Sequence, residues 1–173
     1  SEMCIRDRLY TRPKNPPKVY GAALTEETAR WVGSWADGLI TVHAEPKQLK
    51  KLVDAFHAGG GKGKPMSLQV HVAYAPTDAE ARQAAYDQWR TNTFASALLS
   101  DIKTPQQFDI LGTKVRPEDL DQSVRISSDL SKHVAWLQDD IALGFDHLYL
   151  HEAGPQQERF IDTFAEKVLP KLK

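Results

Sequence analysis

The sequence is poor in the features that indicate a secreted, membrane or nucleic-acid-binding protein. It contains one cysteine, Cys4, so an intramolecular disulfide is impossible and no cysteine-based metal site is expected. No apolar run approaches the roughly 20 residues that a membrane-spanning helix needs, and no apolar stretch after a charged start indicates a secretory signal. The formal net charge is -1, which provides no broad basic field for nucleic acid or acidic membranes. We therefore expect a cytoplasmic protein with neither nucleic-acid nor membrane partners.

The composition that remains is that of an ordinary globular domain. The chain has 173 residues, of which 41% are hydrophobic and 26% charged, and this length is enough for one domain with its own core. The segment from Ser1 to Arg8 has no helical or strand period and resembles translated adapter sequence. We assign residues 1–8 to a non-native segment and residues 9–173 to the domain, and we expect the natural protein to extend further upstream.

Four short apolar runs alternate with helical patterns along the chain. They predict strands at residues 19–23, 39–42, 68–74 and 147–151. A repeated strand–helix order calls for parallel strands joined by right-handed helical crossovers, so the expected fold class is α/β. Four such units are half of a (β/α)8 TIM barrel, and the same order also fits a small doubly wound open sheet.

Capping patterns mark where the helices begin. Thr25 is a predicted N-cap, and Thr77 with Glu80 forms a capping-box pattern. Ser128 or Asp129 is expected to cap a later helix.

Apolar residues at three- and four-residue spacing predict the inward face of each helix. These stripes include Trp35, Ile141 and Ile161, which we therefore expect to be buried. All the tryptophans lie at helical positions, which favours packing over a role as stacking platforms for a ligand. They are Trp31, Trp35, Trp89 and Trp136.

A run of three glycines, at residues 59–61, follows a predicted helix and precedes Lys62 and Lys64. Glycine next to lysine can indicate a phosphate-binding loop, but the GxxxxGK[ST] spacing is absent and such a loop precedes its helix. We interpret the run as a helix-terminating turn. The less regular segment 92–126 is predicted to hold short helical pieces.

Three segments of the chain resemble one family. They are VYGAALTEETARWVGSWADGLITV, FHAGGGKGKPMSLQVHVAYAPTDAEARQAAYDQWRTN and LGFDHLYLHEAGPQQERFIDTFAEKVLP. Together they resemble the C-terminal half of luciferase-like flavin-dependent oxidoreductases, in the branch near the deazaflavin (coenzyme F-420) dependent glucose-6-phosphate dehydrogenases. Within that branch the chain resembles a subgroup that uses ordinary flavin.

The resemblance implies a fold, a cofactor and partners. The four strands would be strands five to eight of a TIM barrel, and most catalytic residues would lie in an absent first half. The cofactor would be FMN, with coenzyme F-420 as the alternative. The substrate would be a small molecule, and the full-length parent would be a homodimer.

The resemblance also implies an activity. The expected chemistry is hydride transfer or oxygen-dependent oxidation at a small organic substrate. The alternative is a non-catalytic flavin-binding barrel protein or an inactive truncated fragment. Because half a barrel leaves unpaired strand edges and apolar surface, we expect the isolated chain to dimerise or to be loosely folded.

In a barrel the functional site lies at the carboxyl ends of the strands and in the loops that follow. At the first strand end, small residues would let backbone amides approach an anion near the start of the next helix. The residues are Gly21, Ala22, Ala23, Leu24 and Thr25. The resemblance implies that this stretch contacts the cofactor phosphate, although Glu26 and Glu27 weaken that assignment, and a plain tight turn is the alternative.

The second strand end carries Thr41 and His43, which we assign to the substrate pocket. The sugar-phosphate-specific relatives have a threonine and a lysine here, whereas Val42 and Ala44 stand at the nearest matching positions. Glucose 6-phosphate is therefore not expected as the substrate. His43 suits general acid–base work if it faces the pocket, and an exposed loop histidine is the alternative.

The other two strand ends complete the predicted site. Gln69 and His71 share one face of their strand, which indicates either a polar site or hydrogen-bonded core residues. His151 and Glu152 end the last strand, and Gln69, His71 and Glu152 are assigned to the substrate pocket. His43, His71 and His151 are the candidates for catalysis. No metal site is assigned, because no pattern such as HExxH is present.

Overall fold

The computed structural model describes residues 13–94 and 96–172, so the segment 1–8 lies outside the described residues. The strands are β1 (Tyr20–Ala22), β2 (Gly38–Val42), β3 (Met66–Ala73), β4 (Arg125–Ile126) and β5 (His147–Glu152). The helices are α1 (Glu26–Trp35), α2 (Pro46–Phe56), α3 (Asp78–Trp89), α4 (Ser96–Asp101), α5 (Pro105–Gly112), α6 (Leu130–Ala142) and α7 (Gln157–Lys167). Short 3-10 turns cover Arg90–Thr93, Pro117–Gln122 and Leu169–Lys171. No helix in this part of the chain is long and apolar enough to cross a membrane.

The strands form one parallel sheet, as the strand–helix order predicts. β1 pairs with β2, β2 with β3, and β3 with β5, all parallel. β4 pairs only with Val72 and Ala73 at the end of β3, on the side of β2, since β5 occupies the other side. Among the described residues, β1 and β5 each have a neighbour on one side only, so the sheet has two open edges.

One face of the sheet is covered by helices. Met66, Leu68, Val70 and Val72 alternate along β3 and are all at most 2% exposed. They belong to a core cluster to which α1, α2, α6 and α7 contribute buried side chains. A doubly wound sheet has helices on both faces, whereas these four helices pack on one face.

The opposite face carries a different set of side chains. Strand register places Ala22, Ile40, Ser67 and His147 in one row, and Val42, Gln69 and Tyr149 in the next. Ile40, Val42 and Tyr149 are 37%, 38% and 55% exposed. We call these two rows the open face.

The segment between β3 and α6 lies over the carboxyl edge of the sheet. Ala85 of α3 packs in a second cluster with Ala73, Leu120, Val124 and Ala153. The helix that follows β3 is therefore not part of the layer that covers the sheet, and α6 takes that place. This corrects the simple strand–helix alternation, and β4 was not predicted because two residues carry no usable period.

The glycine run terminates α2, as predicted, in a π-helical turn over His57–Gly61. A Cβ at Gly59 would collide with the carbonyl of Arg30, and one at Gly33 with the carbonyl of Phe56. Gly60 has φ 103, which favours glycine. The glycines thus let the backbone of this turn pack directly on α1.

The helix caps agree with the sequence, but three inward positions do not. Thr25 and Thr77 accept from Thr28 N and Glu80 N, and Asp129 is the cap of α6. Trp35, Ile141 and Ile161 were expected to be buried and are 46%, 37% and 60% exposed. No helix among the described residues covers these positions.

Candidate functional site

A cavity of about 240 Å³ opens at the carboxyl edge of the sheet. We call it the mouth cavity. It is lined by Val42, His43, His71, Trp89, Asn92, Gln122 and Ser123. Two parallel strands thus supply residues at their ends, and the segment that follows β3 supplies the rest.

Three rings meet beside this cavity. His71 and His151 are directly paired in register, and their ring centroids lie 5.2 Å apart at 69°. Trp89 contacts both, at 4.8 Å from His71 and 4.7 Å from His151. The structure therefore brings together two of the candidate histidines, His71 and His151, and places Trp89 beside them, which its helical spacing did not indicate.

Two nitrogens of these rings lack a partner. Nε2 of His71 and Nδ1 of His151 are buried, and neither has a hydrogen-bond partner in the described part of the chain. Because an unpartnered buried polar atom costs roughly 1–3 kcal/mol, both nitrogens favour a partner where a ligand comes within reach.

A buried ion pair supports the third histidine. Arg125 Nη1 and Nη2 donate to Asp140 Oδ2 and Oδ1 at 2.6 and 2.9 Å. Arg125 Nη2 also lies 3.1 Å from Nδ1 of His43. The side chains of Arg125 and Asp140 are 10% and 3% exposed. The guanidinium of Arg125 therefore fixes the ring of His43. His43 is half-buried, so it is not the exposed loop histidine of the alternative interpretation.

The histidines of the mouth cavity are neutral near pH 7. Burial, then the charge of Arg125, then His71 lower the pKa of His43 to about 4. Burial, then His151, lowers the pKa of His71 to about 4. Both rings can therefore form hydrogen bonds with a ligand, but neither ring is protonated to the cation at neutral pH.

Glu152 lies away from these histidines. It follows His151 on β5, so the two side chains point to opposite faces. Gly154 N and Tyr74 N donate to its carboxylate at 2.8 and 3.2 Å. Burial outweighs these donors and raises the pKa of Glu152 to about 7. Glu152 lines a separate cavity of about 210 Å³ that also includes Arg159.

Two other predicted pocket residues also lie outside the mouth cavity. Thr41 is buried, and its hydroxyl donates to the carbonyl of Ala23 at 2.7 Å. Gln69 is half-buried on the open face beside Tyr149. Thr41 thus has a structural role that the strand-end position did not reveal, and the substrate contacts assigned to both residues stay predictions.

The predicted cofactor stretch, residues 21–25, lies at the other end of the sheet edge. Gly21 is buried against Val32, and Ala23 N donates to Ile40 O at 3.1 Å. Leu24 and Thr25 are exposed. They line a cavity of about 340 Å³ with Glu26, Glu27, Gln48 and Leu52. The structure does not join this stretch to the mouth cavity, and its contact with a phosphate stays a prediction.

Sequence reasoning missed Asp140, Asn92 and Gln122. Asp140 lies three residues after the inward-facing Leu137, and a carboxylate on a buried helical stripe is a signal for a buried partner. Asn92 and Gln122 belong to the irregular segment, where no period could indicate their direction. In residues 13–94 and 96–172, no group of three or more His, Cys, Asp or Glu side chains is arranged to hold a metal ion.

The fold and the site define a parallel α/β module with one helix-covered face, one open face and a cavity at its carboxyl edge. The model of the luciferase-like monooxygenase family matches residues 3–154, and the chain belongs to that family.

Two curated relatives are named F420-dependent glucose-6-phosphate dehydrogenase. The protein from Beutenbergia cavernae is 25% identical over 95% of this chain and 51% of its own length. The protein from Kribbella flavida is 28% identical over 95% of this chain and 52% of its own length. The chain therefore spans about half the length of these relatives.

A solved structure shows the same fold. It is an F420-dependent secondary alcohol dehydrogenase in complex with an F420-acetone adduct, with TM-score 0.79 and 20% identity over 97% of this chain and 52% of that one. The expected resemblance to the luciferase-like family is confirmed. The expected placement in an ordinary-flavin subgroup is not supported, since all three of these proteins are named as F420-dependent.

Proposed function

We propose that this chain forms half of a deazaflavin-dependent oxidoreductase. The observation that carries the proposal is the ring cluster of His71, Trp89 and His151 at the carboxyl edge of a parallel sheet, with two buried ring nitrogens that lack a partner in the described residues. Ligands of parallel α/β folds bind at this edge, and partnerless ring nitrogens there suit a polar organic ligand.

The open face and open edges support a position within a barrel. β1 and β5 are each free to pair with another strand, and Ile40, Val42 and Tyr149 present apolar surface away from the helices. In our proposal β1, β2, β3 and β5 act as strands five to eight. Further strands would close the ring and cover the open face.

The mouth cavity suits the planar ring of a cofactor better than the start of α1 suits its phosphate. The rings at the mouth offer edges and nitrogens to a flat heterocycle. At α1, Thr25 already caps the helix through Thr28 N, and Glu26 and Glu27 oppose an anion. We propose F420 because the relatives named above depend on it, and FMN is the alternative outcome.

A bound deazaflavin would supply hydride transfer. The side chains of this chain would bind and orient the substrate. His43 and His71 would act as hydrogen-bonding groups, since their pKa values of about 4 leave them neutral. Trp89 would exclude water from one wall of the cavity. In place of the acid–base catalysis expected from the sequence, we therefore propose that His43 and His71 only donate and accept hydrogen bonds.

The proposal is tested by identifying the cofactor. The longest reading frame that contains these residues is expressed, and the bound chromophore is identified by mass spectrometry. We expect F420, and weaker retention in a His71→Ala, His151→Ala variant than in a Trp31→Ala control on the exposed surface of α1. Retention of FMN would correct the cofactor, and absence of any binding or turnover with either cofactor would refute the proposal.

A further inference from the structure

We propose that Asp140 and Arg125 are positioning residues that hold His43 as a neutral N–H donor in the mouth cavity. We further propose that this donor selects a substrate with an uncharged acceptor oxygen, as in a ketone or an alcohol. The first part stands on the geometry of the three side chains. The second part rests on the proposed function, because it assigns a reacting group to the cavity.

The contacts determine which nitrogen of His43 carries the proton. A guanidinium only donates hydrogen bonds. Since Arg125 Nη2 lies 3.1 Å from Nδ1 of His43, Nδ1 must accept and the proton lies on Nε2. The tautomer is therefore imposed by Arg125, in the way that a partner on one imidazole nitrogen commonly fixes the other.

Asp140 in turn fixes Arg125. The bidentate contact at 2.6 and 2.9 Å locks the plane of the guanidinium, and both side chains are almost fully buried. Asp140 belongs to α6 and Arg125 to β4, so the contact joins the helical layer to the strand whose Arg125 bonds His43. Such a buried pair is weak evidence for stability alone, since apolar side chains of similar volume are often equally stable.

The charge around the cavity indicates the class of substrate. Among the described residues that line the mouth cavity, none is a lysine or an arginine. Arg125, the nearest cation to His43, is neutralised by Asp140. A phosphate group requires cations that remain free to pair with it. A carbonyl or hydroxyl oxygen needs only a neutral donor, and His43, Asn92 and Gln122 line the mouth cavity as uncharged polar residues. His43 also lines a neighbouring cavity of about 310 Å³ with Arg125.

The nitrogen atoms of His43 provide a direct test. The full 173-residue chain is labelled with ¹⁵N-histidine, and long-range ¹H–¹⁵N correlations are recorded at neutral pH. The resonances are assigned with His43→Gln. We expect a protonated Nε2 and an unprotonated Nδ1. A proton on Nδ1, or on both nitrogens, would overturn the proposal that Arg125 and Asp140 set the tautomer of His43.

A double variant tests whether the ion pair sets the tautomer. Arg125→Met with Asp140→Leu removes both charges and keeps the volume apolar, a replacement that buried pairs commonly tolerate. We expect a mixed population with measurable Nδ1–H and a shift of the His43 pKa towards its ordinary value. If this variant does not fold, Arg125→Gln takes its place, because an amide can accept as well as donate and so no longer forces Nδ1 to accept. An unchanged tautomer in the folded variant overturns the positioning role.

Two probes test the substrate class. Cyclohexanone and inorganic phosphate are titrated separately, with F420 present, into the protein expressed from the longest reading frame that contains these residues, and the His43 Nε2–H resonance is followed. We expect a saturable shift with the ketone, none with phosphate, and loss of the ketone shift in the double variant. A phosphate shift, or no shift with either probe while F420 is bound, overturns the substrate class. Failure of F420 to bind contradicts the proposed function instead, and the tautomer result stands independently.

Discussion

The two faces of the sheet are built from consecutive residues and are packed in opposite ways. Leu39 is fully buried beneath the helices, whereas Ile40, the next residue, is 37% exposed on the open face. Thr41 and Val42 repeat the contrast. Because successive side chains of a strand point to opposite faces of the sheet, each pair of neighbouring residues compares the two faces at the same place in β2. The difference shows that helix packing stabilises one face, while the other face retains surface suited to a further partner.

The largest effect is expected from truncating these neighbours in β2. Leu39→Ala should lower the free energy of unfolding by about 2–5 kcal/mol, because it leaves a cavity under α1 and α2. Ile40→Ala should lower it by only about 1 kcal/mol, because the side chain is partly solvated. Denaturant titration of both variants measures the difference. Equal losses would mean that the open face is buried in the isolated chain.

The open face is expected to drive self-association. In sedimentation velocity, the isolated chain should show a concentration-dependent rise in sedimentation coefficient. Ile40→Lys with Tyr149→Glu should weaken association at least about tenfold, equivalent to about 1.4 kcal/mol. Trp31→Gln, which changes exposed apolar surface on α1, serves as the control for a non-specific effect. A wild-type chain that stays a compact monomer at all concentrations would contradict the prediction.

The same comparison explains how far the sequence predicts this fold. The alternation in β3 identified the face of the strand that is covered by helices. The apolar residues Leu68, Val70 and Val72 alternate with the polar residues Gln69 and His71. The predicted burial of Trp35 was wrong, because helical spacing shows that one face of a helix is apolar but does not show whether another element covers that face. On the exposed surface of α1 its ring lies 5.1 Å from that of Trp31.

The candidate site was less predictable than the strands. His43 and His151 were identified from strand ends, since parallel strands align their carboxyl ends, and His71 was identified from the polar strand face that it shares with Gln69. Arg125 and Asp140 are 15 residues apart in the chain and meet only because β4 docks beside β3. Trp89 reaches the histidines because α3 lies over the sheet edge. Such contacts depend on the path of an irregular segment, which carries no period.

Stability should depend on pH with opposite sign for the two faces. The folded-state pKa of His71 is about 4 against an ordinary 6.5, so the unfolded chain binds the proton more tightly, and stability falls as pH drops from 6.5 towards 4. The pKa of Glu152 is about 7 against 4.5, so stability falls as pH rises from 4.5 towards 7.

Single substitutions separate the two contributions. The two pH ranges overlap, so His71→Gln should remove the loss of stability on acidification, Glu152→Gln should remove the loss of stability as pH rises, and the two variants should change the slope of the profile in opposite directions. His43 acts with the same sign as His71, so His43→Gln provides a second test of the acid side. The profiles are measured by thermal unfolding across this range. If Glu152→Gln changed the slope in the same direction as His71→Gln, the raised pKa of Glu152 would be wrong.

The smallest expected effect on the free energy of unfolding is the difference between exchanging Thr41 for valine and Val42 for threonine. Thr41→Val keeps the shape of the side chain but removes the 2.7 Å hydrogen bond to Ala23, which should lower the free energy of unfolding by about 1 kcal/mol. Val42→Thr places a hydroxyl on the open face, where water can satisfy it, so its effect should be close to zero. Denaturant titration measures both, and ketone titration of the His43 resonance provides a second readout. If Thr41→Val weakened the ketone shift without a loss of stability, the pocket role first assigned to Thr41 would replace the structural one.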